Sequence, residues 1–310
     1  MGLTARVLTL CLALACWAGL AAADADRLEA AWRGWVAQTG IGKSSIAIVR
    51  NGAVVRSLGI GMEPGERAPL ASLSKSITGA CIMALEAEGR VWRGQTMGEL
   101  LGRTPLEMTP GAAGITVAEL LTHSSGLMQD STQGRPTPWG VRGGDRTVQV
   151  TQTALRREPG PKRFFYNNEN YAVLGAVIAV VTRRDVHDVC PELLGIDARV
   201  NMAFGGGVPW GGFEMSAPDF ARFAAGLTPR RDWPTTPMGG GVRYGPGVML
   251  SEAGRGAIWH FGSWCFVLGR STGAYFFQIR DGWGATVTYN RCLTDDQTRA
   301  LDAVLAGAVR

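Results

Sequence analysis

Along residues 26–38 the apolar side chains fall at Leu28, Trp32 and Trp35, a spacing of three to four that places them on one face of a helix. The period then changes. Residues 45–49 and 54–60 are rich in β-branched side chains, and Asn51-Gly52 between them is a pair that tight hairpins favour because both turn positions need positive φ. Over residues 72–88 the helical period returns, with Ile77, Ala80, Cys81, Ala84 and Leu85 sharing a face and Gly89 as the stop. Further helices are predicted over 117–122, 148–157 and 170–182. The last is apolar nearly all round, the mark of a helix enclosed on every side.

Past Gly205 the chain shifts towards glycine, aromatic and β-branched residues. One helix is predicted over 217–226, strand-like runs at 257–261, 265–268, 274–279 and 285–289, and a closing amphipathic helix over 298–309. Strands at both ends with helices between them predict an α/β (α+β) fold. One antiparallel sheet is built from the two chain ends, about 24–80 and 205–310, and is flanked by helices, with an all-helical lobe inserted over about 81–204. Neither a repeat nor a linker divides residues 24–310, so a single domain is expected.

The first residues change the picture of where this domain works. Arg6, the apolar run 7–22 and Ala21-Ala22-Ala23 before Asp24 read as a signal peptide over 1–23, cut before Asp24. That run is too short for a comfortable span, and no later one reaches the roughly 20 apolar residues a membrane helix needs. A secreted or periplasmic protein without a membrane span is expected. Cys16 is not expected to carry lipid, because Ala13-Leu14-Ala15 is a poor context for it. The net charge of +5 comes from scattered arginines with no basic run, which excludes a nucleic-acid surface. Four cysteines remain after export, Cys81, Cys190, Cys265 and Cys292. They admit three pairings in an oxidising compartment, or none if they are buried thiols.

Several chemistries are disfavoured outright. Residues 37–44 match a relaxed phosphate-loop pattern, but a helix precedes them and a strand follows, the reverse of what that loop requires. The three histidines, His123, His187 and His260, stand far apart in sequence, so no metal site is expected, and nothing in the chain calls for a cofactor. A Gly-x-Ser-x-Gly elbow is absent from the sequence.

Only three of the 31 basic residues are lysines, and one of them, Lys75, stands one helical turn after Ser72. Residues three apart share a helix face, so the amine lies beside the hydroxyl. A serine hydroxyl is a weak nucleophile at neutral pH; a desolvated amine can take its proton, whereas a guanidinium stays protonated. Two later stretches supply matching chemistry. In Tyr166-Asn167-Asn168 the phenol is able to shuttle protons, and the Asn168 amide to hold substrate or Lys75. In His260-Phe261-Gly262-Ser263, on a predicted strand, the glycine admits a close backbone approach.

In this order and spacing the chain resembles the serine β-lactamase-related hydrolases of the class C type, a family that includes DD-peptidases, esterases and D-aminopeptidases. The resemblance covers nearly the whole mature chain and rests on ASLSKSITG, LLTHSSGL, YNN, GGFEMSAPDFARF and HFG. It implies a β-lactamase/transpeptidase-like fold and acyl transfer. Ser72 is then the nucleophile, Lys75 and Tyr166 manage its proton, and Asn168 orients substrate. His260, Gly262 and Ser263 line the substrate site, the N–H groups of Ser72 and Ser263 form an oxyanion hole, and His123 is structural. The classical third motif carries Lys where this chain has His260, which would be cationic only at lower pH or beside an anion and would then help hold an anionic substrate. The expected partner is a cell-wall peptide or small-molecule substrate, an ester, a peptide-like amide or a β-lactam. The second reading is a penicillin-binding-type pseudoenzyme that binds, or is acylated, without turnover.

Overall fold

The computed structural model of the chain describes residues 23–133, 146–252, 256–265, 271–279 and 281–309. The expected leader lies outside the described residues apart from Ala23, and so does the strand-like run 265–268 apart from Cys265. An N-terminal helix over 23–39 (α1) leads to β1 (Ser44–Arg50) and β2 (Ala53–Ile60). Asn51 and Gly52 at their turn both take positive φ, 49° and 84°, as the sequence predicts.

β1 pairs antiparallel with β11 (Trp283–Tyr289), which is next in space although last in sequence among the strands; Ser44 faces Tyr289 and Arg50 faces Trp283. The sheet continues through β10 (Thr272–Gln278), β9 (Ile258–Trp264), β8 (Met249–Ser251) and β7 (Val242–Tyr244) to β6 (Thr236–Gly239). Every described pairing in it is antiparallel. A smaller sheet joins β3 (Arg67–Pro69), β5 (Phe213–Ser216) and β4 (Arg199–Val200).

The alternation along β1 shows why the sheet is covered on both sides. Ile46 and Ile48 join Leu28, Trp32 and Trp35 of α1 and Leu301 and Leu305 of the C-terminal helix α10 (Asp295–Ala308) in one apolar cluster. Ala47 and Val49 face Ala217 and Ala221 of α9 (Ala217–Ala225) on the other side. Each large aliphatic side chain buried this way contributes roughly 1.5–3 kcal/mol. The larger cluster gathers α2 (Ser74–Ala87), the short helices α3 (Met97–Leu101), α4 (Pro110–Ala113) and α5 (Val117–Leu121), α6 (Thr147–Leu155), α7 (Asn168–Thr182) and α8 (Val186–Leu194). α7 is buried from Asn168 to Ile178, which matches its all-round apolar sequence.

The four cysteines form Cys81–Cys190, joining α2 to α8, and Cys265–Cys292, joining the end of β9 to the segment after β11. Element ends depart from expectation for local reasons. α7 begins two residues early because the Asn167 side chain accepts from the Glu169 N–H at 2.8 Å and so caps it. α10 begins at Asp295 through a Thr294/Gln297 capping box. β9 does not stop at Phe261 but runs through Gly262 to Trp264. Among the described residues no helix is long and apolar enough to cross a membrane.

Candidate active site

The chain reaches the first motif through a strained step. Buried Ala71 takes φ +46°, a conformation that an L residue adopts at a cost of about 1–2 kcal/mol. This step opens the 3-10 turn Ala71–Leu73, which sets Ser72 at the mouth of α2 rather than inside it. Lys75, in the first turn of α2, is fully buried, and its Nζ lies 3.1 Å from Ser72 Oγ. Its other partner is the Trp210 carbonyl at 2.9 Å, supplied by a π-helical turn over Val208–Gly212.

Burial disfavours the ammonium and draws Lys75 from 10.5 down to about 7; the Asp130 carboxylate opposes this. The amine is therefore poised to exist neutral beside a serine hydroxyl. Tyr166 completes the group. Nζ lies 4.9 Å from its ring centre, and its hydroxyl interacts with the Ser72 side chain. Tyr166 is 36% exposed, so it is partial desolvation of the hydroxyl at the cleft wall that raises it above its usual 10, and the phenol stays protonated at neutral pH.

His123 fixes the Tyr166 segment. Its backbone has φ +55°, its carbonyl accepts from the Phe165 N–H at 2.8 Å, and its Nδ1 accepts from the Asn167 N–H at 3.3 Å. Burial, then the Lys75 charge, holds it well below 6.5, so it is neutral. Its ring centre lies 4.5 Å from that of Tyr166. These contacts agree with a structural role for His123.

Asn168 lies against the 130–132 segment. Its backbone N–H donates to Asp130 Oδ2 at 3.0 Å and its Nδ2 to Thr132 Oγ1 at 2.7 Å, while Oδ1 is buried with no hydrogen-bond partner among the described residues. The Lys75 amine thus meets a backbone carbonyl, Trp210 O, where the sequence suggested the Asn168 amide.

β9 brings the third motif to the same place. A Cβ on Gly262 would lie 2.4 Å from Leu70 O and 2.8 Å from Ser72 N, so only glycine lets strand and turn touch. β8 pairs with β9 only at Ile258 and Trp259, and the following residues on that side face the Ser72 turn instead. Ser263, exposed, follows Gly262 there. His260 departs from expectation. It is buried, its Nδ1–H donates to the Phe261 carbonyl at 2.6 Å, and its Nε2 accepts from the Tyr244 hydroxyl at 2.9 Å. Burial, with the Lys75 charge second, lowers it to about 3, so His260, expected to become cationic at lower pH or beside an anion, is a neutral imidazole.

The structure therefore brings Ser72, Tyr166, His260, Gly262 and Ser263 to one cleft, with Lys75 buried behind Ser72 and Asn168 anchored beside Asp130. Three participants escaped the sequence reading. The Trp210 carbonyl is a main-chain group and carries no side-chain signature. Tyr244 sits on a three-residue strand without visible periodicity. Asp130 forms a local turn, accepting from the Thr132 N–H at 2.9 Å, which is the signal that could have marked it.

A sheet built from both chain ends, a helical insert, and a Ser-x-x-Lys pair at the start of α2, its lysine buried and its serine at the cleft, define the class of β-lactamase-like proteins. The chain belongs to the β-lactamase family, whose model matches residues 25–195. Protein flp of Staphylococcus aureus (strain NCTC 8325 / PS 47) is 30% identical over 151 residues, 46% of this chain and 30% of that protein. The match thus spans under a third of that relative's length. Among solved structures, a β-lactamase/D-alanine carboxypeptidase from Pseudomonas syringae aligns with TM-score 0.70 at 17% identity, covering 93% of this chain and 99% of its own. The D-amino acid amidase from Ochrobactrum anthropi SV3 aligns with TM-score 0.69 at 17% identity, covering 87% and 97%. At such identities the likeness is one of fold.

Proposed function

We propose that the protein is a serine hydrolase that works through an acyl-enzyme on an ester or peptide-like amide. The observation that carries this is the buried, largely desolvated Lys75 amine 3.1 Å from Ser72 Oγ. Neutral Lys75 takes the Ser72 proton as Oγ bonds to the substrate carbonyl carbon. The negative charge that develops on the carbonyl oxygen meets the N–H groups of Ser72 and Ser263, which the close passage of Gly262 past Ser72 N makes reachable together. As the bond to the leaving group breaks, the proton passes to it through Lys75 and the Tyr166 hydroxyl. Water then attacks the Ser72 ester by the reverse route and restores the hydroxyl.

Asn168 Oδ1, buried and without a protein partner among the described residues, fits an acceptor for a substrate N–H. The amidase and carboxypeptidase among the fold's neighbours favour substrates of small amide or peptide character. Two disulfides and the leader-like first residues support an extracytoplasmic place of work. The test is labelling with a fluorophosphonate, followed by mass spectrometry of the tryptic peptides. The adduct is expected on Ser72 and absent from Ser72→Ala; labelling retained in that variant would refute the assignment. Steady turnover of an activated ester, rather than a single burst, separates an enzyme from a protein that is merely acylated.

A further inference from the structure

The cleft beside Ser72 has a volume of about 310 Å³, and its walls include Phe164, Tyr166, Met238, Met249 and His260. No described residue lining it carries a charged side chain. Both ring nitrogens of His260 are already engaged, Nδ1 by the Phe261 carbonyl and Nε2 by the Tyr244 hydroxyl. Protonation would add a hydrogen on Nε2 that points at Tyr244, not into the cleft. An anion placed there would lose water and find neither a charge nor a free N–H on His260, while Lys75, fully buried behind Ser72, does not line the cleft; the exchange is unfavourable even in a partly open site. Two thioethers and two aromatic rings instead offer polarizable, adaptable contact to an apolar group.

We propose that this cleft selects acyl donors whose group lying against Met238, Met249 and Phe164 is uncharged and apolar, and disfavours those carrying a carboxylate there. The inference rests on the acyl-transfer reading of Ser72. Its substrates are then neutral esters or amides with an aryl or alkyl portion, and terminal carboxylates are selected against. In the reaction the Ser72 Oγ–acyl bond forms, the ester C–O bond breaks, and the Ser72 proton ends on the departing phenol oxygen.

The test compares two esters of N-acetylglycine, one with 3-hydroxybenzoic acid and one with its methyl ester, each rate normalised to alkaline hydrolysis of the same compound. On the mature protein the neutral ester is expected to show kcat/KM at least about tenfold higher, the scale of an uncompensated polar group in an apolar site. Met249→Lys and, independently, Met238→Lys are expected to narrow that ratio by at least about fivefold, because each adds a cation at the wall. Equal rates, or a preference for the carboxylate ester, would overturn this inference while leaving acyl transfer at Ser72 standing. A lysine at both wall positions in turn that leaves the ratio unmoved in folded protein would overturn it too. If intact-protein mass spectrometry detects no Ser72 adduct from either ester and neither turns over, the acyl-transfer reading falls and takes this one with it.

Discussion

Replacing Lys75 tests the mechanism where it is most specific. The drop from 10.5 to about 7 amounts to roughly 5 kcal/mol in favour of the neutral amine, and its cause is complete burial. A base of pKa about 7 is ~3% neutral at about pH 5.5 and ~97% neutral at about pH 8.5. With a neutral substrate, kcat/KM is therefore expected to rise roughly thirtyfold across that window and then level off. The sign follows from the group: the base is the deprotonated form, so activity is lost as pH falls through the folded-state value.

Other groups around Ser72 cannot produce this limb. His260 lies near 3 and His123 well below 6.5, so both stay neutral, and a Tyr166 phenolate would give a rise only above pH 10. Lys75→Arg keeps the charge but has no accessible neutral form, so kcat/KM should fall by about 10²- to 10⁴-fold and the limb should vanish. Because the Lys75 side chain is fully buried, Lys75→Met separates loss of the base from the strain of a larger head group. Lys43→Arg and Lys162→Arg are the controls; these side chains are 52% and 51% exposed in ion pairs with Glu66 and Glu119, and their replacement should change almost nothing. A folded Lys75→Arg protein with an unchanged melting temperature and near wild-type acylation would refute the reasoning.

Asp130→Asn removes the carboxylate that raises Lys75, so the inflection in the pH–kcat/KM profile should move to lower pH; a profile that stays put or moves up would contradict the pairing. Gly262→Ala would drive a Cβ to 2.4 Å from Leu70 O and 2.8 Å from Ser72 N, both main-chain atoms. Displacing that contact should lower kcat by about 10²-fold or more, and retained activity in a folded variant would remove Ser72 and Ser263 as paired donors. Opening Cys81–Cys190, which closes 109 residues, by Cys81→Ser with Cys190→Ser should cost up to about 5 kcal/mol of stability. By calorimetry that is a fall in Tm of about 10 °C, and an unchanged Tm would show that the bridge constrains nothing.

Periodic and local information was legible without coordinates. The spacing of Leu28, Trp32 and Trp35 defines the face of α1 that enters the core, and Asn51-Gly52 defines the hairpin, because both follow from geometry within a few residues. Ser72 and Lys75 could be paired from the sequence for the same reason: three residues on a helix are one turn. The grouping with Tyr166 and His260 came from resemblance to a family of known proteins, and the fold then brought them to one cleft. Short strands such as Val242–Tyr244 left no period to read, and neither did the main-chain partner of Lys75.

What only the tertiary structure decided is electrostatic and steric. The pairing of four cysteines among three possibilities depends on which segments meet in space, as α2 meets α8. A histidine in the sequence carries no charge state of its own; His260 is neutral because burial removes water and because Phe261 and Tyr244 occupy both its nitrogens. Lys75 differs from the two other lysines in nothing but its surroundings, and it is the complete loss of solvent at one side chain, assembled from residues far apart in the chain, that draws an ordinary cation from 10.5 down to about 7.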